Sequence, residues 1–269
     1  MKQVCALLGI SPQGYYKGRR KKEYKKLQET IILQLVQSHR RKMPRLGGKK
    51  LYRMLTTDLA RMKVKLGRDR FFGLLRRNGL LIHRKNRYAK TTNSLHRFKI
   101  YKNLIKGVEP GKPDKVYVSD ITYIIAADSF SYLALITDLY SRKIVGYDVS
   151  DSLNMEGSIR ALKMAIKGKS DLLGLIHHSD RGIQYCSNLY TGLLTENKIQ
   201  ISMSEKGNPY ENAVAERVNG ILKEEFMLSG TFPTKELAYK AVHEAIKTYN
   251  ELRPHMSIDY MTPAQKYAA

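Results

Sequence analysis

The chain has 269 residues, of which 42% are hydrophobic, so it is long enough to bury a core and too apolar to be disordered throughout. It contains no run of about eighteen apolar residues and no secretory leader, so we expect no membrane span. Its two cysteines, Cys5 and Cys186, form neither a disulfide framework nor a zinc site, and we expect a cytoplasmic protein.

Positive charge is concentrated in the N-terminal part of the chain. The whole chain has 48 Lys and Arg against 24 Asp and Glu, a net charge of +24. Residues 1–112 carry 31 basic and 5 acidic side chains, whereas residues 113–269 carry 17 and 19. A region of one sign favours a polyanionic partner, because Lys and Arg that neutralise phosphates release counterions. Ribosome or membrane-surface binding is the alternative, but no basic amphipathic helix with an aromatic face is present, so nucleic acid is favoured.

Three helices are predicted in the basic part. Hydrophobic residues follow helical spacing in 24–42 and again in 49–61, and a third helix spans 68–78 and ends at Gly79. The third helix places four arginines on its exposed side: Arg68, Arg70, Arg76 and Arg77. Short helices joined by tight turns, the last one basic, are typical of a helix-turn-helix unit that binds DNA. The alternative is a basic bundle that packs on a partner without reading bases.

The chain divides into three parts by composition. Residues 1–83 are the basic helical region, and residues 84–113 form a polar, basic linker of weak order that ends in a stretch rich in glycine and proline. Residues 114–269 form the main domain, together with a C-terminal helix.

The main domain alternates strands and helices. Strands are predicted at 115–126, 130–140, 143–151, 172–177 and 200–203. Helices are predicted at 154–167, 187–197, 212–227 and 235–250. Three consecutive strands followed by alternating helices and strands predict an α/β fold with a mixed sheet and helices on its faces.

Three carboxylates occupy positions typical of a catalytic site. Asp120 lies inside the first strand, among residues that otherwise favour burial. Asp180 directly follows an apolar strand, where the carboxyl ends of strands in open sheets present ligands. Glu216 lies on a predicted helix with 35 residues between it and Asp180, and Lys223 follows on the same helix face.

A cluster of carboxylates suits phosphoryl transfer. Two divalent cations about 4 Å apart can activate a nucleophile and neutralise the leaving oxygen, and they need hard oxygen ligands. Magnesium prefers such oxygens, so neither histidine nor cysteine is required. Taken singly, each acid is more often a surface group, a helix cap or half of a salt bridge, so spacing alone does not decide.

Five linked motifs resemble a known family. They are DITYI, YLALITDLYSRKIVGYDVS, HHSDRGIQY, SEKGNPYENAVAERVNGILKEEF and YNELRPHMSIDYMTP. In order and spacing they resemble the integrase-type core of insertion-sequence transposases, in the branch encoded by two overlapping frames, over roughly residues 30–267. The resemblance implies a ribonuclease H-like core in which Asp120, Asp180 and Glu216 bind two Mg²⁺ or Mn²⁺ ions. It also implies that Lys223 contacts the DNA end and that Leu46–Leu81 is the helix-turn-helix segment.

The resemblance also implies an activity and partners. The enzyme is expected to cleave one strand at each element end and to join the 3′ hydroxyl to target DNA, acting on double-stranded DNA as a homo-oligomer in the bacterial cytoplasm, at the nucleoid. An upstream-frame protein is a possible fusion partner. Two alternatives are a nuclease or resolvase of the same fold that does not join strands, and an inactive DNA-binding regulator.

Other polar residues near the acids have simpler interpretations. Asp138 is interpreted as a strand-end or turn residue, and the pair His177 and His178 as structural, with a lesser possibility that His178 positions water or phosphate. Asn208 and Tyr210 precede the helix of Glu216, where a loop touching DNA and a plain capping turn are equally compatible with the sequence.

Overall fold

The structure is a computed structural model that describes residues 2–83, 98–127, 129–169, 171–205 and 212–269. Contacts divide the chain into two compact units. The first comprises Met1–Lys42 and Leu46–His83, and the second comprises Met43–Arg45 and Arg84–Ala269. Within the described ranges, every helix is too short or too polar to cross a lipid bilayer.

The first unit is built from four helices: α1 (Lys2–Leu7), α2 (Pro12–Lys42), α3 (Gly48–Arg61) and α4 (Arg68–Arg77). The prediction of a helix start at residue 24 was wrong, because α2 begins at Pro12. The Ser11 hydroxyl accepts a hydrogen bond from the Gly14 amide at 3.0 Å, and proline is well suited to the first helical position. The hydrophobic periodicity is present only in the part of α2 that is buried, around Ile32 and Val36. The prediction from periodicity therefore did not include the exposed N-terminal part of the helix.

The buried side chains of α3 and α4 explain their predicted periodicity. In α3 they are Leu51, Leu55 and Leu59, and in α4 they are Phe71, Leu74 and Leu75. Gly79 has a φ of +64°, so α4 ends at the left-handed glycine that the sequence predicted.

A mixed sheet forms the centre of the second unit. Its strands are β1 (Val116–Ala126), β2 (Ser129–Asp138), β3 (Ile144–Ser150), β4 (Ile176–Ser179), β5 (Gln200–Met203) and β6 (Thr231–Phe232). The order is β3-β2-β1-β4-β5, with β6 also paired to β1. The first three strands are antiparallel, whereas β4 and β6 run parallel to β1 and β5 runs parallel to β4. This is the ribonuclease H-like arrangement, and the predicted mixed α/β fold is confirmed.

Helices cover both faces of the sheet. They are α5 (Met155–Ile166), α6 (Ile183–Cys186), α7 (Asn188–Glu196), α8 (Ala213–Glu225), α9 (Lys235–Glu251) and α10 (Pro263–Ala268), with a 3₁₀ turn at Met256–Ile258. On one face, α5 and α7 pack against Tyr117 and Ile136. On the other face, α8 packs through Ala215 against Val116 and Val118. Side chains alternate along a strand, so odd and even positions of β1 face different helices.

The described part of the predicted linker contacts the sheet. The Leu104 amide donates a hydrogen bond to the Ser202 hydroxyl of β5 at 2.8 Å, and Ile105 packs beside Val116. Leu104 and Ile105 of the predicted linker therefore contact the main domain. Residues 84–97 of that predicted linker lie outside the described residues.

The second unit differs from the predictions at several places, and two of these differences have a local cause. The strand expected at 172–177 was placed too early, because the Leu175 amide donates to the Leu172 carbonyl at 3.1 Å and Gly174 has a φ of +79°, which makes this apolar stretch a turn. Helix α10 was not predicted, although the sequence contains two signals of a helix start. Thr262 and Gln265 form a capping box, and Pro263 between them occupies the first helical turn. A short run without periodicity gave no helical signal.

A close approach of α5 to β3 yields a stability prediction. A Cβ at Gly146 would overlap the Ala161 carbonyl oxygen and lie 2.8 Å from the Cβ of Ala165. We expect Gly146→Ala to lower the free energy of unfolding by about 1–3 kcal/mol, the usual cost of overpacking, in urea denaturation.

The matched control is Gly192→Ala in α7, where a Cβ would meet no atom within 4 Å. There alanine should raise the free energy of unfolding by about 0.5–1 kcal/mol, since glycine is a poor helix former. Equal effects of the two substitutions would show that β3 and α5 are not in close contact.

Candidate active site

The strand register brings Asp120 and Asp180 together. Val118 of β1 pairs with His178 of β4 in parallel. The pairing ends at this pair: Asp120 lies two residues further along β1, and Asp180 is the first residue after β4. Because neighbouring strands lie about 4.8 Å apart, the register brings the backbones that carry the two aspartates near each other.

Asp120 is held in a fixed orientation. Its Oδ1 accepts a hydrogen bond from the Ile121 amide at 2.9 Å, and its Oδ2 accepts one from Asn219 Nδ2 of α8 at 2.8 Å. Burial raises the pKa of Asp120 to about 7, against these two hydrogen bonds, and the charges of Asp180 and Glu216 raise it further. The Asp120 carboxyl is therefore poised to titrate near neutral pH.

Glu216 belongs to the same electrostatic cluster. It lies in the first turn of α8, on the exposed side, and partial burial together with the Asp180 charge raises its pKa. Each pair among Asp120, Asp180 and Glu216 thus interacts repulsively. The three predicted acids lie within electrostatic range of one another, yet among the described residues no three His, Cys, Asp or Glu side chains are grouped so as to hold a metal ion as they stand.

Helix α8 is anchored at both ends and in its middle. Asn212 Nδ2 donates to the Ser119 carbonyl at 3.1 Å, and Asn219 binds Asp120 as described. At the last residue, Glu225 accepts two hydrogen bonds of 2.8 Å from Arg253, a side chain that is only 1% exposed. These contacts fix the helix that carries Glu216.

Sequence reasoning missed Asn219 and Arg253 as functional residues. A signal was available for Asn219, because it follows Glu216 by three positions and so lies on the same helix face. For Arg253 no local pattern marks burial, because a buried arginine is recognised only from the partner that neutralises it.

Lys223 lies beside β1. Its Nζ is 3.9 Å from the ring centroid of Tyr123, which is three residues beyond Asp120 on the strand. At about 3.3 Å per residue, the backbone of Tyr123 lies roughly 10 Å along β1 from that of Asp120, and the two side chains leave opposite faces of the strand. The assignment of Lys223 to a phosphate contact stays a prediction.

The two histidines before Asp180 are structural, as predicted. His177 Nε2 shares hydrogen bonds with the Ser119 hydroxyl at 2.7 Å and the Tyr190 hydroxyl at 2.9 Å. Burial lowers the pKa of His177 to about 3, so its ring is neutral. His178 Nδ1 is hydrogen bonded to the Ser202 hydroxyl at 2.8 Å, and both rings are buried.

Asp138 closes the turn between β2 and β3, which confirms its prediction as a strand-end residue. It accepts hydrogen bonds from the Asp114 amide at 2.9 Å and from the amide and hydroxyl of Ser141 at 2.7 and 2.5 Å. It is fully buried, with one oxygen bound within this turn and the other bound to the segment before β1. Asn208 and Tyr210 lie outside the described residues.

The four arginines of α4 are exposed in the first unit. Arg77 pairs with Glu29 of α2 at 3.3 Å, and Arg68 pairs with Asp69 at 3.1 Å. Exposed pairs of this kind are worth about 0–1 kcal/mol, so a phosphate can compete with them. Arg70 and Arg76 are also exposed.

A ribonuclease H-like sheet with paired acids beside its central strand defines an integrase-core protein. Two models of the integrase core domain match residues 110–209 and 197–263. The chain is 34% identical over 265 residues to the uncharacterized 31 kDa protein of insertion element IS600 from Shigella sonnei, covering 97% of this chain and 96% of that one. It is 36% identical over 200 residues to the transposase for insertion sequence element IS904 from Lactococcus lactis, covering 70% and 78%. The chain belongs to the insertion-sequence transposase family.

More distant proteins also match. Transposase InsF for insertion sequence IS3A from Escherichia coli is 26% identical over 274 residues, covering 98% of this chain and 93% of that one. Among solved structures, the HTLV-2 integrase catalytic core domain in complex with magnesium matches with 21% identity and a TM-score of 0.47, covering 59% of this chain and 99% of that one. A simian T-cell lymphotropic virus intasome chain matches with 19% identity and a TM-score of 0.49, covering 87% and 74%.

The raised pKa of Asp120 yields a prediction about stability. The folded pKa of about 7 exceeds the ordinary value of 3.8, so the folded state binds the proton more tightly. The stabilisation that the Asp120 proton contributes to the folded state is present below about pH 4 and is lost as pH rises through 7. In EDTA, the urea midpoint of Asp120→Asn should equal that of the wild type near pH 4. At pH 8 the midpoint of Asp120→Asn should be higher than that of the wild type. The gain should reach a few kcal/mol, since one pKa unit is about 1.4 kcal/mol.

Asp171→Asn is the control, because Asp171 is exposed in the loop before β4. Its unfolding should follow the wild type across the same pH range. A constant difference between Asp120→Asn and the wild type from pH 4 to 8 would mean that Asp120 titrates normally.

Proposed function

We propose that the chain cleaves DNA at the ends of its element and joins the new 3′ ends to a target, with Asp120, Asp180 and Glu216 as catalytic carboxylates. The observation that carries this proposal is the parallel register of β1 and β4, because Asp120 lies on β1 and Asp180 directly follows β4, each two residues beyond the pair of Val118 and His178. Glu216, on α8, is coupled electrostatically to both. Membership of a transposase family supports the reaction class.

The three acids suit two divalent cations, Mg²⁺ or Mn²⁺. Carboxylate oxygens are the hard ligands these ions prefer, and three mutually repelling carboxylates gain most from a positive charge between them. Glu216 is exposed on the first turn of α8 and is coupled electrostatically to the two aspartates, so we assign it as the third ligand. Bound ions would supply an activated water and neutralise charge on the reacting phosphate and the leaving oxygen.

The chain's own residues would orient the DNA strand. Asn219 fixes the direction of the Asp120 carboxylate, and Asn212 fixes the start of α8 against β1. Lys223 would hold a phosphate of the strand being cut, through a charge-assisted contact. The cleaved strand would keep a 3′ hydroxyl, which would attack a second phosphodiester at the same carboxylates, with no covalent link between protein and DNA.

The partners follow from this reaction. Its substrates would be double-stranded DNA at the element ends and at the target, and pairing two ends calls for a homo-oligomer. The protein of the upstream frame would act as a fusion partner. The site of action would be the cytoplasm, at the nucleoid.

DNA affinity would come mainly from the basic region. We assign phosphate or base contacts to Arg68, Arg70, Arg76 and Arg77, which lie exposed on α4 while its other side is buried. A basic helix that follows a second helix after a short turn is the form in which helix-turn-helix units enter the major groove.

Cleavage and joining test the catalytic assignment. On a labelled duplex that carries the terminal sequence of the element, Mg²⁺ should support both reactions and EDTA should stop both. We expect Asp180→Asn to lower both rates more than about a hundredfold, because even residues beyond the ligand shell of a metal site contribute 10–100-fold. The products are measured on denaturing gels.

Asp171→Asn, the same substitution at an exposed acid, should retain both activities. Full activity of Asp180→Asn would remove this residue from the mechanism. Cleavage without joining would indicate a nuclease or resolvase, and metal-independent binding without cleavage would indicate a regulator.

The salt dependence of binding tests the assignment of α4. We expect the double change Arg70→Ala and Arg76→Ala to reduce the slope of log affinity against log salt by up to about 1.8, since each phosphate contact contributes about 0.9. Fluorescence anisotropy with the same duplex measures this slope.

Lys240→Ala, at an exposed lysine of α9, serves as the charge-matched control and should leave the slope near the wild-type value. An unchanged slope in the double variant would show that α4 does not contact phosphates.

A further inference from the structure

The N-terminal half of α2 is an exposed helix that carries strong positive charge. Residues 12–27 contain seven Lys and Arg against one acid, Glu23, so the segment has a net charge of +6. Its sixteen residues extend over about 24 Å of helix. All of them are exposed except Tyr15, which is half-buried. The buried side chains of α2, Ile32 and Val36, lie only in the other half of the helix.

Five lysines lie on one side of this segment. At about 100° per residue they fall within half of the helix circumference, and we call them the lysine face: Lys17, Lys21, Lys22, Lys25 and Lys26. Arg19 and Glu23 lie on the other side and pair with each other at 3.0 Å. The next acid along α2, Glu29, pairs with Arg77 of α4. Among the described residues, no acid therefore forms an ion pair with the lysine face.

The lysine face destabilises the helix, and packing does not compensate for it. Lysines four positions apart repel each other, and the face contains three such pairs. Gly18 lies among them and is a poor helix former, and a Cβ there would meet no atom within 4 Å. Residues 12–27 bury no side chain that offsets these costs. A polyanion bound along the lysines would remove the repulsion, because it neutralises the charges that cause it.

We propose that the lysine face binds the phosphate backbone of duplex DNA without sequence preference, as a second contact surface besides α4. Lysines that neutralise phosphates release condensed counterions, and blocks of like charge often serve as nucleic-acid-binding arms. Contacts to phosphates position the duplex and carry no sequence information. This inference rests on the proposed function for the identity of the polyanion, because that function makes duplex DNA the substrate.

The lysine face lies close to α4 along α2. Glu29, which Arg77 of α4 contacts at 3.3 Å, follows Lys26 by three residues and lies on the same side of α2 as the lysines. The face therefore extends from about 5 Å to about 18 Å along the helix axis from this contact. At about 3.4 Å per base pair, this corresponds to roughly five base pairs. One duplex can thus contact α4 and the lysine face together.

The composition of the segment disfavours a membrane or a second copy as the partner. The side opposite the lysines is interrupted by Arg19, Arg20 and Glu23, so the segment has no continuous apolar face to insert into a bilayer. A second copy of the chain has the same net charge of +24 and would be repelled. Duplex DNA complements the lysine face in charge over its whole length.

Two duplexes of equal length and composition test the proposal on the full-length chain. One carries the terminal sequence of the element and the other a scrambled sequence, and EDTA prevents cleavage. The variant changes Lys17, Lys21 and Lys25 together to Gln, which removes the charges and keeps a similar helix propensity. Fluorescence anisotropy over a series of salt concentrations gives the affinity and the salt slope for each duplex.

We expect the triple variant to reduce the salt slope by up to about 2.7, at about 0.9 for each phosphate contact. At about 0.15 M salt, this corresponds to an affinity lower by up to roughly a hundredfold. The loss should be the same for both duplexes, so that the preference for the element end is unchanged. Changing the same three lysines to Arg keeps the charge and should retain both affinity and slope.

The charge-matched control changes three exposed lysines of α5 and α9 to Gln: Lys163, Lys240 and Lys247. This variant lowers the net charge of the chain by the same amount, and its slope should stay near the wild-type value. Equal slopes in the two triple variants would overturn the proposal. A loss of affinity confined to the element end would overturn it as well, because it would show that the lysines read sequence.

Duplex RNA of the same sequence separates the two kinds of nucleic acid. A preference of the wild type for RNA over DNA that the triple variant loses would identify RNA as the ligand and contradict the proposal. Because the assay measures binding alone, absence of cleavage in the wild type would contradict the proposed function and leave this test readable. An unchanged slope beside intact cleavage would contradict the lysine face alone.

Discussion

The parallel pairing of β1 with β4 is the constraint on which the candidate site depends. Its register brings Asp120, on β1, near the end of β4, and Asp180 is the first residue after that end. Backbone hydrogen bonds between central strands are hard to shift, because a slip of one residue would turn every side chain to the other face. The backbones that carry the two carboxylates are therefore held near each other despite the repulsion between the acids. The position of Glu216 relative to the two aspartates depends on how α8 packs against the sheet. The contacts that hold this helix in place are consequently part of the site.

Placing acids in a half-buried position has a cost that the surrounding contacts only partly offset. Burial raises the pKa of Asp120 although two hydrogen bonds favour its charged form. The ion pair of Arg253 with Glu225 also requires desolvation, and such pairs add little net stability. What these contacts provide is orientation: one fixes a carboxylate, and the other fixes the end of the helix that carries Glu216.

The sequence predicted the elements that are periodic and the acids that follow them. The predicted bounds of the strand that contains Asp120 and of the helix that contains Glu216 are close to the observed ones, and α4 ends before Gly79 as predicted. The sequence failed where a signal is local and not periodic, as at Pro12 and at the turn of Gly174. It could not show that Asn219 reaches Asp120 or that Arg253 reaches Glu225, because both contacts join distant segments. The strand register, which brings the backbones of the two aspartates near each other, is likewise a property of the folded sheet.

The distribution of charge separates DNA affinity from catalysis. Residues 113–269, which contain the three acids, carry 17 basic and 19 acidic side chains, whereas residues 1–112 carry nearly all the positive excess. Phosphates approaching a carboxylate cluster are repelled unless cations lie between them, so ground-state affinity is better supplied elsewhere on the chain. Binding energy from remote contacts can then position the strand, while the interactions at the carboxylates strengthen only as charge develops on the reacting phosphate. A site built in this way needs few positive groups of its own, and Lys223 beside Tyr123 fits that requirement.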